Sequence, residues 1–315
     1  MRGSEGGTPS THGDDAPIAA EDGCGLRSLL RPDGVEIVVA RNAGYCYGVQ
    51  RALGVTHAAL DAATKPVASL GPIIHNPSVV AELELRGVEV IESVAETGGG
   101  TLIVRTHGVP PEVLEEARVR GLEVIDATCP FVAVAQRKTS LLREAGYIVV
   151  ILGERDHPEV VGLEGCAGSG AIVVEDAEGL PLVQLRGRRV GLVVQTTQTR
   201  ANLASVSAVL APVVRELLIH NTICDATEKR QSAACELAAE VDAVVVVGGR
   251  NSANTARLAT LCRVIQLRTY HVEAAAELLA EWFAGARRIG VTAGASTPES
   301  EIEATLRALA ALADD

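Results

Sequence analysis

Residues 122–136 read Leu-Glu-Val-Ile-Asp-Ala-Thr-Cys-Pro-Phe-Val-Ala-Val-Ala-Gln. A short run rich in β-branched residues gives way to small polar ones, and then to a proline opening a stretch with helical character. This is the form of a strand, a tight loop and a helix, with a cysteine at the turning point. The same form recurs along the chain. Val/Ile-rich runs at 35–40, 66–74, 101–105, 122–125, 147–152, 190–194, 217–223, 243–247 and 288–291 each end in small or polar residues and lead toward a helix-like segment. Alternation of this kind predicts an α/β protein with mainly parallel sheets.

The polar clusters have an order of their own. Cys46 is followed by His75-Asn76 and His107-Gly108; Cys129 by Asp156-His157-Pro158 and Gln195-Thr196-Thr197; Cys224 by Asn251-Ser252 and Gly294-Ala295-Ser296. From each cysteine to the first polar motif is 29, 28 and 27 residues, and from cysteine to cysteine 83 and 95. Repetition at that period predicts three related α/β units: 35–130 with Cys46, 131–222 with Cys129 at its start, and 223–315 with Cys224. Residues 1–34, with seven glycines and scattered charges, are expected to be a disordered tail without the features of a signal peptide. In open parallel sheets ligands bind beyond the carboxyl ends of the strands, where all nine clusters sit. Three units around an axis would therefore point three thiols and six polar loops at one cavity.

Composition narrows the chemistry. The 315 residues are 47% hydrophobic and 22% charged, which suits a folded globular protein. Only 2% are aromatic and the net charge is -12, so nucleic acid is excluded as a partner. No apolar run is long enough to span a membrane. Seven cysteines without clustered spacing argue against a secreted disulfide framework and for a cytoplasmic protein. Cys24, Cys166, Cys235 and Cys262 have no partner in the repeat and read as ordinary thiols; His12, His57, His220 and His271 likewise carry no motif.

Three converging thiolates suit an iron-sulfur cluster with one iron open to substrate better than a closed zinc site, which needs a fourth ligand. His75, His107, His157, Thr196, Ser252, Asn254 and Ser296, with the amides at helix starts, form a donor-rich set fit for a phosphorylated small molecule. No phosphate-binding loop of the G-x-x-x-x-G-K-[ST] type occurs, and the glycines at 248–249 lack dinucleotide-binding spacing. Glu159, two residues after His157, is placed to supply a proton for reductive loss of hydroxide, with Thr196 as a relay.

These residues fall into motifs: Gly44-Tyr45-Cys46-Tyr47-Gly48-Val49, Ile74-His75-Asn76-Pro77, Thr106-His107-Gly108-Val109, Asp126-Ala127-Thr128-Cys129-Pro130, His157-Pro158-Glu159-Val160, Gln195-Thr196-Thr197, Ile223-Cys224-Asp225-Ala226-Thr227, Asn251-Ser252-Ala253-Asn254 and Thr292-Ala293-Gly294-Ala295-Ser296. In this series, from about residue 35 to 311, the sequence closely resembles the 4-hydroxy-3-methylbut-2-enyl diphosphate reductase (LytB/IspH) family. The resemblance implies a trefoil of three α/β domains around a 4Fe-4S cluster on Cys46, Cys129 and Cys224. It implies diphosphate binding by His75, His107, Ser252, Asn254 and Ser296, with His157 and Thr196 near the substrate and Glu159 as proton source. It also implies ferredoxin or flavodoxin as electron donor, and isopentenyl and dimethylallyl diphosphate as products. One position departs from the family pattern: Ala253 stands where a serine is usual. A divergent paralogue reducing another substrate, or a non-enzymatic iron-sulfur redox sensor, are the competing readings.

Overall fold

A computed structural model of the chain describes residues 20–21 and 27–312. In chain order the strands are β1 (Ala20–Glu21), β2 (Arg27–Leu30), β3 (Glu36–Val39), β4 (Val67–Leu70), β5 (Val88–Ile91), β6 (Thr101–Val104), β7 (Glu123–Asp126), β8 (Ile148–Leu152), β9 (Ile172–Val174), β10 (Arg189–Val194), β11 (Glu216–His220), β12 (Ala243–Val247), β13 (Thr269–Val272) and β14 (Arg288–Ala293). The helices are α1 (Tyr47–Ala62), α2 (Pro77–Leu85), α3 (Pro111–Val119), α4 (Pro130–Glu144), α5 (Pro158–Ala167), α6 (Leu182–Leu185), α7 (Arg200–Leu210), α8 (Asp225–Ala238), α9 (Ala253–Ile265) and α10 (Glu299–Ala311).

The strands form three sheets whose parallel parts share one plan. Their orders are β5-β4-β6-β7, β9-β8-β10-β11 and β13-β12-β14-β3. The third sheet continues through β2 and β1, both antiparallel to their neighbours. β12 shows why these segments are strands: it is Ala-Val-Val-Val-Val, with every residue fully buried. Val245 and Val247 pack with β3 and α10, whereas Val244 and Val246 pack with α8 and α9. A strand covered on both faces must be apolar throughout.

Two expectations need correction. The expected first unit began at residue 35, but β3 pairs with β14 (Ile37 with Ile289, Val39 with Val291) and so completes the third sheet. A periodic sequence fixes the length of a repeat and leaves its starting strand open; the first sheet begins one strand later than expected, at β4, while the other two sheets break the chain where the expected units do. Second, the tail expected to be disordered through residue 34 is structured from Arg27, where Arg27–Leu30 pairs residue for residue with Glu36–Val39. The remainder of that expectation, with Cys24, lies outside the described residues. No helix among the described residues is long and apolar enough to cross a membrane.

Candidate functional site

Each sheet ends in three loops at the carboxyl edge of its strands, and the loops do equivalent work. Cys46, Cys129 and Cys224 are the residues immediately before α1, α4 and α8, each in the N-cap position. Each cysteine amide donates to a carbonyl in another pocket loop: Cys46 N to Ala295 O (3.2 Å), Cys129 N to Thr106 O (2.9 Å) and Cys224 N to Thr196 O (3.0 Å). The next residue after each of these carbonyls is Ser296, His107 or Thr197. The cysteines and the polar loops are thus registered to one another by main-chain bonds, which side-chain substitution leaves in place.

One pocket collects them. Cys46, Cys129, Cys224, His75, His107, His157, Glu159, Thr196, Ser252, Asn254 and Ser296 all line it, so every site residue expected from the sequence is brought to the same cavity. Side chains from three sheets meet here, as the trefoil arrangement requires.

The thiol end has a glycine at its centre. A Cβ placed on Gly48, in the first turn of α1, would lie 2.5 Å from Cys129 Sγ and 3.9 Å from Cys46 Sγ. The two sulfurs therefore flank this bare backbone. All three cysteines are free thiols. Burial pushes the Cys129 thiol up to about 11, opposed by the amides of the first turn of α4 and reinforced by Cys46 and Cys224. Burial raises Cys224 as well, again against its own helix amides. Among the described residues, only His75, His107 and His157 bring three ligating atoms within 4.8 Å of one another. The cysteine sulfurs do not, so their spacing is too wide for a single tetrahedral ion and leaves room for a polynuclear centre. Soft donors from three units, spread around one pocket, fit an iron-sulfur cluster.

The histidines form the opposite chemistry. Their ring centroids are 4.4 Å (His75 to His107), 5.6 Å (His75 to His157) and 5.3 Å (His107 to His157) apart. Both ring nitrogens of His75, and Nδ1 of His107, are buried without a hydrogen-bond partner. Burial, with a smaller contribution from Arg105, pulls His75 down to about 4; burial and then His75 bring His157 down to about 3. His107 is also held well below the ordinary value, first by burial. Asn254 adds a side-chain amide with neither end bonded. Unpartnered buried polar atoms are costly, and a cluster of them facing one cavity is the signature of a missing polar ligand. Ser296 Oγ donates to His75 O at 2.9 Å, and Ser252 caps α9 through Thr255 N. Ala253, in the first turn of α9, also lines the pocket.

Glu159, 2% exposed, lines the same pocket. Its carboxylate accepts from Thr196 N at 2.6 Å and from Thr196 Oγ1 at 2.8 Å. Burial dominates over both bonds and lifts the carboxyl to about 7. His157 Nδ1 accepts from Glu159 N at 3.1 Å, which leaves the imidazole proton on Nε2.

Several residues that sequence reasoning passed over belong to the same region. Thr227 lines the pocket, and Thr197 Oγ1 is buried and unpartnered. Arg105 acts on all three histidines. Arg257 joins the units, donating to Thr197 O at 3.2 Å and pairing with Glu154 at 2.6 Å. Arg230 is buried beside the cysteines. Thr197 and Thr227 stood inside recognised motifs without being assigned a role; Arg105 follows β6 and Arg230 and Arg257 lie in helices, where nothing local distinguishes them from surface cations.

Comparison with known proteins agrees with this geometry. The family model described as LytB protein matches residues 37–310. The 4-hydroxy-3-methylbut-2-enyl diphosphate reductase of Geobacter metallireducens is 49% identical over 84% of this chain and 93% of its own length. That of Aquifex aeolicus is 44% identical, over 85% and 94%. A solved structure of (E)-4-hydroxy-3-methyl-but-2-enyl diphosphate reductase, described as the terminal enzyme of the non-mevalonate pathway, superposes with a TM-score of 0.65 at 42% identity, covering 87% of this chain and 98% of the other. The reductase from Plasmodium falciparum gives a TM-score of 0.77 at 27% identity, over 84% and 85%.

Proposed function

The chain belongs to the LytB protein family, and on that premise we propose that it carries out the family reaction. In that reaction (E)-4-hydroxy-3-methylbut-2-enyl diphosphate takes two electrons and two protons. It loses its hydroxyl as water and becomes isopentenyl or dimethylallyl diphosphate. The observation that carries this reading is the convergence, in one pocket, of three thiols from three helix starts, three histidines of which two have unpartnered buried ring nitrogens, and a carboxyl group lifted to about 7.

Cys46, Cys129 and Cys224 would hold a 4Fe-4S cluster, which when bound supplies electrons one at a time to the pocket. The chain's own residues divide the remaining work. His75 and His107, with Ser252, Asn254 and Ser296, bind the diphosphate, each histidine offering N–H donors in a site from which water is largely excluded. His157, tied to the amide of Glu159, keeps Nε2–H available to the substrate. Glu159 holds a proton near neutral pH and passes it through the Thr196 hydroxyl to the departing oxygen; without that proton, hydroxide is a poor leaving group. Without a hydroxyl at residue 253, one charge-assisted bond to the diphosphate is missing, an effect of about 1.5–3 kcal/mol unless water replaces it. Ferredoxin or flavodoxin, acting in the cytoplasm, would deliver the electrons.

A redox sensor would need the thiols alone and leaves the histidines and Glu159 without a purpose. The test is anaerobic purification followed by iron and sulfide analysis and turnover. We expect a brown protein with about four irons per chain that consumes the hydroxylated allylic diphosphate with reduced viologen. A brown protein inactive on this substrate would favour a paralogue with another substrate; a colourless one after full reconstitution would end the cluster reading.

A further inference from the structure

Arg230 stands on α8, six residues after Cys224, and is only 3% exposed. Its Nη2 donates to Gly44 O at 2.7 Å, two residues before Cys46. Its Nη1 makes a 3.4 Å contact with Ala226 O in its own helix. Nε is buried with no acceptor. Among the described residues no carboxylate forms an ion pair with it: Cys46 and Cys224 favour its charged form, while burial, the larger effect, works against its protonation. An unpaired buried cation is among the costlier features a fold can carry, and arginine does not escape by giving up its proton. Something negative must occupy the cysteine end in the working protein.

We propose that Arg230 is the counter-charge and positioning residue for the centre held by Cys46 and Cys224. This rests on the cluster reading above and adds to it the source of charge balance. Through Gly44 it fixes the loop that presents Cys46. Through its charge it favours the more negative, reduced state of the centre, so it raises the midpoint potential. It transfers neither electrons nor protons.

The experiment compares anaerobically purified wild type with Arg230→Lys and Arg230→Met, following the reduced signal by electron paramagnetic resonance at set potentials. We expect Arg230→Met to be harder to reduce by at least tenfold in the reduced-to-oxidised ratio at fixed potential, which is 59 mV for a one-electron couple. Arg230→Lys should stay close to wild type, because charge is kept while the bond to Gly44 is altered. An unchanged potential in an iron-loaded Arg230→Met protein overturns the proposal. Should that variant fail to retain iron, the iron-free proteins decide. Removing an uncompensated buried charge should leave the melting temperature of Arg230→Met at or above that of iron-free wild type. A lower one marks Arg230 as a structural strut and overturns the proposal equally. Wild type that takes up no iron is a different result, since it removes the cluster reading on which the proposal stands.

Discussion

At Glu159 two opposing effects can be weighed directly. Two hydrogen bonds from Thr196 favour the ionised form, and burial favours the neutral one; burial prevails, and the carboxyl moves from 4.5 to about 7. As a proton donor Glu159 works in its protonated form, so turnover should be highest below pH 7 and decline as pH rises through about 7. Glu159→Gln should cut turnover by about a hundredfold or more, flatten that decline, and leave iron content and diphosphate affinity close to wild type. A variant retaining full turnover would remove the assigned role. The histidines shift in the other direction. His75 at about 4 and His157 at about 3 are neutral at pH 7 in the empty pocket, and an incoming diphosphate favours their charged forms. Binding should therefore take up protons and tighten as pH falls. Calorimetry with inorganic diphosphate in buffers of different ionisation enthalpy, corrected for the ligand's own titration, should report net uptake near pH 7; net release would contradict the histidine assignment. At this scale the cysteines and histidines were legible because three copies of one pattern single them out. Arg230 and Arg105 were not, because a buried arginine is set by what packs around it, and no local pattern carries that information.

Elements position these residues through their ends. Six of the nine pocket loops place an N-cap residue at the start of a helix: Cys46, Cys129 and Cys224 before α1, α4 and α8, and Asn76, His157 and Ser252 before α2, α5 and α9. Helix starts present amides and partial positive charge, which suits both thiolates and phosphate oxygens. Gly48 marks how tightly α1 approaches the second cysteine. Gly48→Ala puts a methyl group 2.5 Å from Cys129 Sγ, and because this is a helical glycine the change favours the helix itself by up to about 1 kcal/mol. We expect a protein that folds at least as well without metal but holds less iron after reconstitution; wild-type iron content would show that Cys129 swings aside freely. The strands expected from sequence all formed. The ones missed were β5, β9 and β13, each at the outer edge of its parallel sheet, together with β1 and β2. β5 (Val-Glu-Val-Ile) and β13 (Thr-Tyr-His-Val) are mixed in character and lack the continuous apolar run that identified β8 or β12, and β9 (Ile-Val-Val) is apolar but only three residues long.

For the whole molecule the central pocket is also a joint. The parallel sheets share one plan, and each proposed sulfur ligand follows the last strand of a different one, so a shared centre ties three units that otherwise meet through contacts such as Arg257 with Glu154 and Ser296 with His75 O. A ligand bound only by the folded state stabilises it by mass action. Chelating the iron should lower the melting temperature by several degrees, and Trp282, stacked on Tyr270 of β13 at 4.3 Å, offers a fluorescence signal from the third sheet alone. An unchanged melting temperature after complete iron removal would argue that the sulfurs do not share a centre. What the sequence could not convey at this scale was the phase of the repeat, since hydrogen bonding between β3 and β14 joins segments some 250 residues apart in the chain. That pairing sets a timetable for biosynthesis. The strand leading to Cys46 emerges some 250 residues before its parallel neighbour, so a nascent chain cannot complete the third sheet, or fix the end of the pocket where Cys46 stands, until β14 has been made.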